Sequence, residues 1–260
     1  MTKLPSRNGI YKTDSARKAA KALHTPRFYL NMLSYLYKWS ALADKGLLND
    51  EQFLIASCEF YDLCESVGMQ IEASGLENAQ NITAPCVFIS NHLSSFETFA
   101  LPALIGQKYP ISIVIKPSLI KYPIFGTIMR ARHPIVVSRN DPKEDLKTVL
   151  TAGAESIKSG RSVLLFPQAS RSSHFDPKNF NSLGIKLAKR TDAQVIPIAL
   201  KTDVWGNGKY VKDIGKIDLS RAAYIKIGAP FSVTGNGKAE HAYIIDFISE
   251  NFKNWGGTVL

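Results

Sequence analysis

Phe88-Ile89-Ser90-Asn91-His92-Leu93-Ser94-Ser95-Phe96-Glu97 runs from an apolar strand through a polar turn into the start of a helix. The strand, from Cys86 to Ser90, does not alternate apolar with polar, as expected of one covered on both faces in a parallel sheet. Some seventy residues later Phe166-Pro167-Gln168-Ala169-Ser170-Arg171-Ser172 follows a second apolar run, Ser162 to Phe166. Two strands of this kind, each followed by a polar loop, are the signature of alternating strand and helix layers.

The same pattern extends in both directions. Met69 to Ser74 alternates at period 2, and Ile111 to Lys116, Pro134 to Ser138, Gln194 to Leu200 and Ala223 to Gly228 read as further strands. Helices are predicted at 95–106, 118–131, 143–159 and 181–192, with a last one from Lys238 to Trp255. Asp141, Pro142 and Glu144 supply the cap, first position and capping box of the third, and Gly160 follows its end. Pro197 lacks a donor for a ladder and predicts an edge or a bulge in its strand. The fold class is therefore α/β, with a largely parallel mixed sheet flanked by helices.

At 260 residues the chain is long enough to bury roughly 70–75% of its extended surface in one core. Cys58, Cys64 and Cys86 have neither zinc-site nor CxxC spacing, which points to a reducing compartment, and no ligand cluster suggests a metal. The net charge of +10 is concentrated early: Lys3, Arg7, Lys12, Arg17, Lys18, Lys21 and Arg27 face one acid, Asp14. Such an arm is a solvated tail or a ligand for a polyanion, an anionic membrane surface ahead of nucleic acid. No apolar core follows it, so it does not read as a secretory signal. From Phe28 to Ala43, polar Asn31, Ser34, Lys38 and Ser40 interrupt a run too short to span a bilayer. Tyr29, Met32, Leu33, Leu36, Trp39 and Ala43 recur at helical spacing, as in a helix packed on the core or one lying in a membrane interface. A second helix, Asp50 to Ser66, carries Phe53, Phe60, Tyr61 and Cys64 on one side and stops at Gly68. The expected organisation is a basic arm at 1–27, a membrane-surface helix hairpin at 28–68 and an α/β domain at 69–260.

In a parallel sheet, ligands sit beyond the carboxyl ends of the strands, so His92 and Arg171 are expected to converge. His92 is the candidate base. Glu97 can orient it and stabilise the imidazolium, or it can cap the helix that starts at Ser94–Ser95. Arg171 is always charged and matches phosphate oxygens two at a time, and Lys116 and Arg139 add positive charge at further strand ends. Ser170 lacks the Gly-x-Ser-x-Gly elbow of a serine nucleophile. Together these residues suggest proton abstraction beside an anionic substrate.

In order, these blocks resemble the glycerolipid acyltransferase superfamily that includes the lysophosphatidic acid acyltransferases. The family's Asn-His, with Asp after four more residues, is similar to Asn91, His92 and Glu97. Its second block resembles Lys116 to Gly126 and runs on to Arg139. Its Phe-Pro-Glu-Gly-Thr-Arg-Ser is similar to Phe166 to Ser172, and its fourth block resembles Val195 to Ala199. The departures are Glu97 for Asp, Gln168 for Glu, Ala169 for Gly and Ser170 for Thr.

The resemblance implies direct attack of an acceptor hydroxyl on an acyl thioester, with His92 as base, Glu97 as its orienter, and Lys116, Arg139, Gln168, Ser170 and Arg171 at the substrate. It implies an acyl-CoA or acyl-carrier-protein donor as substrate, with no cofactor and no metal, and a lysolipid acceptor, lysophosphatidic acid first. It also implies a helix pair resting on an anionic membrane surface, at the cytoplasmic face. The changes at Glu97 and Gln168 leave a second expectation, a catalytically silent lipid-binding protein on the same fold. Replacing His92 separates the two, because only an enzyme would lose turnover.

Overall fold

The computed structural model describes residue 4 and residues 6–14, 23–168 and 170–260. Lys3, Arg17, Lys18, Lys21 and Ala169, singled out above, lie outside the described residues. The chain runs β1 (Ile10–Lys12), α1 (His24–Asp44), α2 (Asp50–Ser66), β2 (Gln70–Ser74), α3 (Leu76–Gln80), β3 (Val87–Ser90), α4 (Phe96–Ile105) and β4 (Ile111–Ile115). It continues through α5 (Pro117–Lys121), α6 (Phe125–Arg130), β5 (Ile135–Val136), α7 (Pro142–Lys158), β6 (Ser162–Leu165) and β7 (His174–Phe175). It ends with α8 (Leu183–Thr191), β8 (Val195–Lys201), β9 (Ala222–Ile227), α9 (Lys238–Asn254) and β10 (Thr258–Val259).

The main sheet has the order β1-β2-β9-β8-β3-β6-β4-β5. From β8 to β5 every neighbouring pair is parallel. β9 runs antiparallel to β8, and β2 is parallel to β9. β3 and β6 are buried along their whole length between helices, which accounts for their apolar sequences. The five parallel strands all end at one edge of the sheet, and they deliver His92, Lys116, Arg139, the Gln168–Arg171 loop and Thr202 there.

Three expectations are corrected. The predicted helix at 118–131 is two helices, because Pro123 forces Tyr122 into an extended conformation (φ −63°, ψ 136°) and the chain restarts at Phe125. Pro197 is not at an edge: it lies in register opposite Ile89, between β3 and β9. The expected bulge is on the facing chain beside it, where the pairing steps by one residue from Pro197 opposite Gly228 to Val195 opposite Phe231. The donor it lacks falls opposite Gly228, one residue past the end of β9, and Gly228 N–H still donates to the Pro197 carbonyl at 2.8 Å. A β-carbon on Gly228 would come within 2.7 Å of the Pro197 ring, so glycine is what lets the two strands close here.

The third correction concerns the basic arm, which is not wholly a tail. β1 pairs antiparallel with β2, and Tyr11 is buried with its hydroxyl donating to Glu65. Lys12 meets Glu72 at 2.9 Å on the exposed side. Three residues are too short a run for periodicity to reveal a strand.

Phe28, Met32 and Trp39 of α1 are buried, and Phe28 meets the Trp205 ring edge-on at a centroid distance of 4.9 Å. Phe53, Phe60, Tyr61 and Cys64 of α2 are buried as the sequence implies. Leu30, Leu33 and Tyr37 form the opposite face of α1 and are 70%, 56% and 70% exposed. No helix among the described residues is long and apolar enough to cross a membrane.

Candidate active site

Beyond Ser90 the chain is fixed by Asn91, whose side chain donates to the Leu200 carbonyl and accepts from the Leu200 amide, both at 2.8 Å. This two-point clasp on β8 sets where His92 leaves the sheet. The His92 amide donates to Gln168 Oε1 at 2.8 Å, and the His92 carbonyl accepts from Ser172 N–H at 3.1 Å. The ring of Phe166 stacks on the imidazole at 4.3 Å between centroids. His92 is thus held by both polar loops read from the sequence.

His92 Nδ1 lies 2.9 Å from Glu97 Oε2, with the histidine side chain 15% exposed and the glutamate 0%. The carboxylate also accepts from the backbone amides of Ser94 at 3.0 Å and Leu93 at 3.2 Å, and from the hydroxyl of Thr202. Donors at the start of α4, where the helix dipole favours negative charge, compensate a carboxylate removed from water. Capping and orienting, set out as alternatives above, coexist in one side chain. With Nδ1 occupied, Nε2 is the ring nitrogen left to face the cavity that His92 lines.

That cavity has a volume of about 440 Å³. Its lining combines four cations, Lys116, Arg139, Arg171 and Lys212, with apolar residues that include Met32, Leu36, Phe99, Phe125 and Trp205. Arg139 sits at a left-handed backbone position (φ 63°), where Asp145 accepts from its amide at 2.8 Å. Burial lowers the pKa of its guanidinium, against the pull of Asp145. Ser170 also lines the cavity. Gln168 does not: it is buried, and its oxygen is used by the His92 amide, so its expected place at the substrate is corrected to a place behind the histidine.

Sequence reasoning missed Ser95, Thr202 and Asp213. Asp213 Oδ1 accepts from Arg171 Nη1 at 2.8 Å and from Ser95 Oγ at 2.7 Å, and Arg171 also contacts Ser95. Burial would raise the Asp213 pKa, but the Ser95 hydrogen bond and the charges of Arg171 and Lys116 outweigh it and hold the carboxyl below its ordinary value. Asp213 comes from the turn-rich segment between β8 and β9, where no periodicity marks a residue as inward-facing.

The arrangement suits removal of a proton by an oriented imidazole beside an anion, with an apolar chain alongside. The sequence profile of the family described as Acyltransferase matches residues 70–201. The chain is 30% identical over 225 residues to a 1-acyl-sn-glycerol-3-phosphate acyltransferase of Pseudomonas aeruginosa, covering 84% of each chain. A chloroplastic 1-acyl-sn-glycerol-3-phosphate acyltransferase of Brassica napus is 31% identical over 138 residues, 53% of this chain and 38% of its own length. In fold the chain is similar to the crystal structure of the 1-acyl-sn-glycerophosphate acyltransferase of Thermotoga maritima, with a TM-score of 0.69, 16% identity, and coverage of 92% of this chain and 97% of that one. The chain belongs to the acyltransferase family, as an enzyme similar to the 1-acyl-sn-glycerol-3-phosphate acyltransferases.

Proposed function

We propose that the protein moves a fatty acyl group from the thioester of CoA or acyl-carrier protein to the free hydroxyl of lysophosphatidic acid, at the cytoplasmic face of a membrane. The observation that carries this reading is the contact of His92 Nδ1 with the buried Glu97 at 2.9 Å, at a cavity lined by both cationic and apolar side chains.

In this account the acceptor hydroxyl gives its proton to His92 Nε2 as its oxygen attacks the thioester carbonyl. The tetrahedral oxyanion collapses and breaks the carbon–sulfur bond, and the departing thiolate takes the proton back from the imidazolium. A positioned base of this kind contributes about 10²–10⁴-fold. Glu97 fixes the ring tautomer and stabilises the transient positive charge. Arg171, with Lys116 and Arg139, holds the acceptor phosphate by charge-assisted hydrogen bonds and favours the developing oxyanion. Met32, Leu36, Phe99, Phe125 and Trp205 offer the acyl chains an apolar wall, and seating both lipids there supplies the proximity term.

Exposed apolar residues near the cavity mouth, Leu33, Tyr122, Val211 and Ile214, support docking on a lipid surface. The test is transfer of labelled acyl groups from acyl-CoA and from acyl-carrier protein to lysophosphatidic acid, lysophosphatidylglycerol and monoacylglycerol. Formation of phosphatidic acid ahead of the other products supports the reading, and preference for either other acceptor refutes lysophosphatidic acid as substrate.

A further inference from the structure

Among the described residues that line the cavity, Asp213 is the one acid, set against Lys116, Arg139, Arg171 and Lys212. Its carboxylate oxygen takes one donor from Arg171 and one from Ser95, the arrangement in which a phosphate oxygen would be received. The segment that carries it is pinned at its base. Gly206 N–H donates to the Lys216 carbonyl at 3.0 Å, Asn207 donates to the Leu93 carbonyl at 2.9 Å, and the Tyr29 hydroxyl donates to the Gly215 carbonyl at 2.6 Å. Between these anchors the tip turns on itself, with Ile214 N–H donating to the Val211 carbonyl at 2.9 Å, and presents Asp213 inward.

We infer that Asp213 is a built-in competitor for the acceptor's anion: it occupies the seat on Arg171 and Ser95 that a phosphate monoester takes, and so sets the affinity for the acceptor. This rests on the reading of Arg171 as the phosphate-binding residue. A carboxylate brings one charge and two oxygens, whereas a phosphate monoester brings more charge and three oxygens. The phosphate therefore displaces the carboxylate where an uncharged headgroup does not. While Asp213 is seated, the apparent dissociation constant of an anion is raised by the inverse of the fraction of molecules whose seat is open. If that fraction is about a tenth, removing the competitor tightens binding about tenfold.

The experiment uses the whole protein and two readouts. Calorimetry with inorganic phosphate as probe and no acyl donor present compares the wild type, Asp213→Asn, Asp213→Ser, Arg171→Ala and the double variant Arg171→Ala/Asp213→Asn. Both Asp213 variants are expected to bind phosphate about tenfold more tightly than the wild type. The Asp213→Asn change is expected to have no effect once Arg171 is gone. In turnover, Asp213→Asn is expected to lower KM for lysophosphatidic acid and leave KM for monoacylglycerol where it was. Unchanged or weaker phosphate binding in both Asp213 variants overturns the inference, because Asp213 would then position Arg171 rather than compete for it. Absence of transfer to lysophosphatidic acid by the wild type, with tighter phosphate binding in Asp213→Asn, would refute the proposed acceptor while sustaining the competitor.

Discussion

Glu97 meets the ring of His92 through Oε2 at 2.9 Å and the backbone amide of Ser94 through Oε1 at 3.0 Å, so one buried carboxylate both starts α4 and holds the histidine. The two tasks share a cause. The chain that leaves β3 must turn before the helix begins, and that turn brings the His92 ring and the free amides of the first helical turn to the same point.

Replacing Glu97 by glutamine should therefore lower turnover and stability together. An amide has one acceptor oxygen where the carboxylate has two, and it leaves at least one buried donor unpaired, at about 1–3 kcal/mol. Thermal melting and steady-state rates on the same preparation check this. Thr202→Val, which removes the hydroxyl donor to Glu97 without touching His92, should cost stability and retain most of the turnover.

Gln168→Leu should act through the histidine backbone. It removes the acceptor of the part-buried His92 amide, a loss of about 1–3 kcal/mol, without removing a substrate contact. Denaturant unfolding should register the loss, and kcat should fall while KM for the acceptor stays near its wild-type value. A rise in KM alone would put Gln168 at the substrate after all.

The exposed face of α1 should govern docking. Leu30, Leu33 and Tyr37 turn away from the core, so Leu30→Glu and Leu33→Glu should leave the melting temperature within a few degrees. Sedimentation with vesicles containing anionic lipid should show weakened binding for both. Unaltered binding would move the docking surface elsewhere.

Acid stability should report Asp50. Burial raises the pKa of its carboxyl, but the hydrogen bond at 2.6 Å from Arg161 and the charges of Arg161 and Arg132 hold it below its ordinary value. A folded-state pKa below the unfolded one gives stability that is complete above the unfolded value, about 3.9, and is lost as pH falls through the lower folded value. Asp50→Asn should cost about 1–2 kcal/mol at pH 7, the carboxylate being partly exposed while Arg132 is buried. The difference from wild type, followed by urea unfolding across pH, should close as pH falls below about 4.

The parallel core of the sheet was legible because strands buried on both faces, such as Val87–Ser90 and Ser162–Leu165, carry unbroken apolar runs. Asp141 and Pro142 likewise marked the start of α7. The placement of His92, Lys116, Arg139, Ser170 and Arg171 followed from the rule that loops beyond parallel strands share one edge. What the sequence did not show depended on single contacts across long separations. Pro197 fits a central strand because its missing donor falls opposite Gly228, where the facing chain leaves β9 and steps by one residue before Phe231 pairs with Val195, and Gln168 faces the His92 amide rather than the cavity. Asp213 reaches Arg171 from a loop without periodicity. Tyr11 pairs its short strand with β2 in a stretch whose charge alone suggested a tail. The dual engagement of Glu97 was visible as two alternatives but not as their coexistence.

The central claim is that His92 acts as the base in direct transfer to the acceptor hydroxyl. It is tested most directly by single-turnover transfer from acyl-CoA to lysophosphatidic acid with wild type and His92→Ala, after circular dichroism and melting have shown both proteins folded. The account predicts a rate lower by about 10²–10⁴-fold in the variant, with lysophosphatidic acid still bound. A folded His92→Ala protein that transfers at the wild-type rate would contradict it.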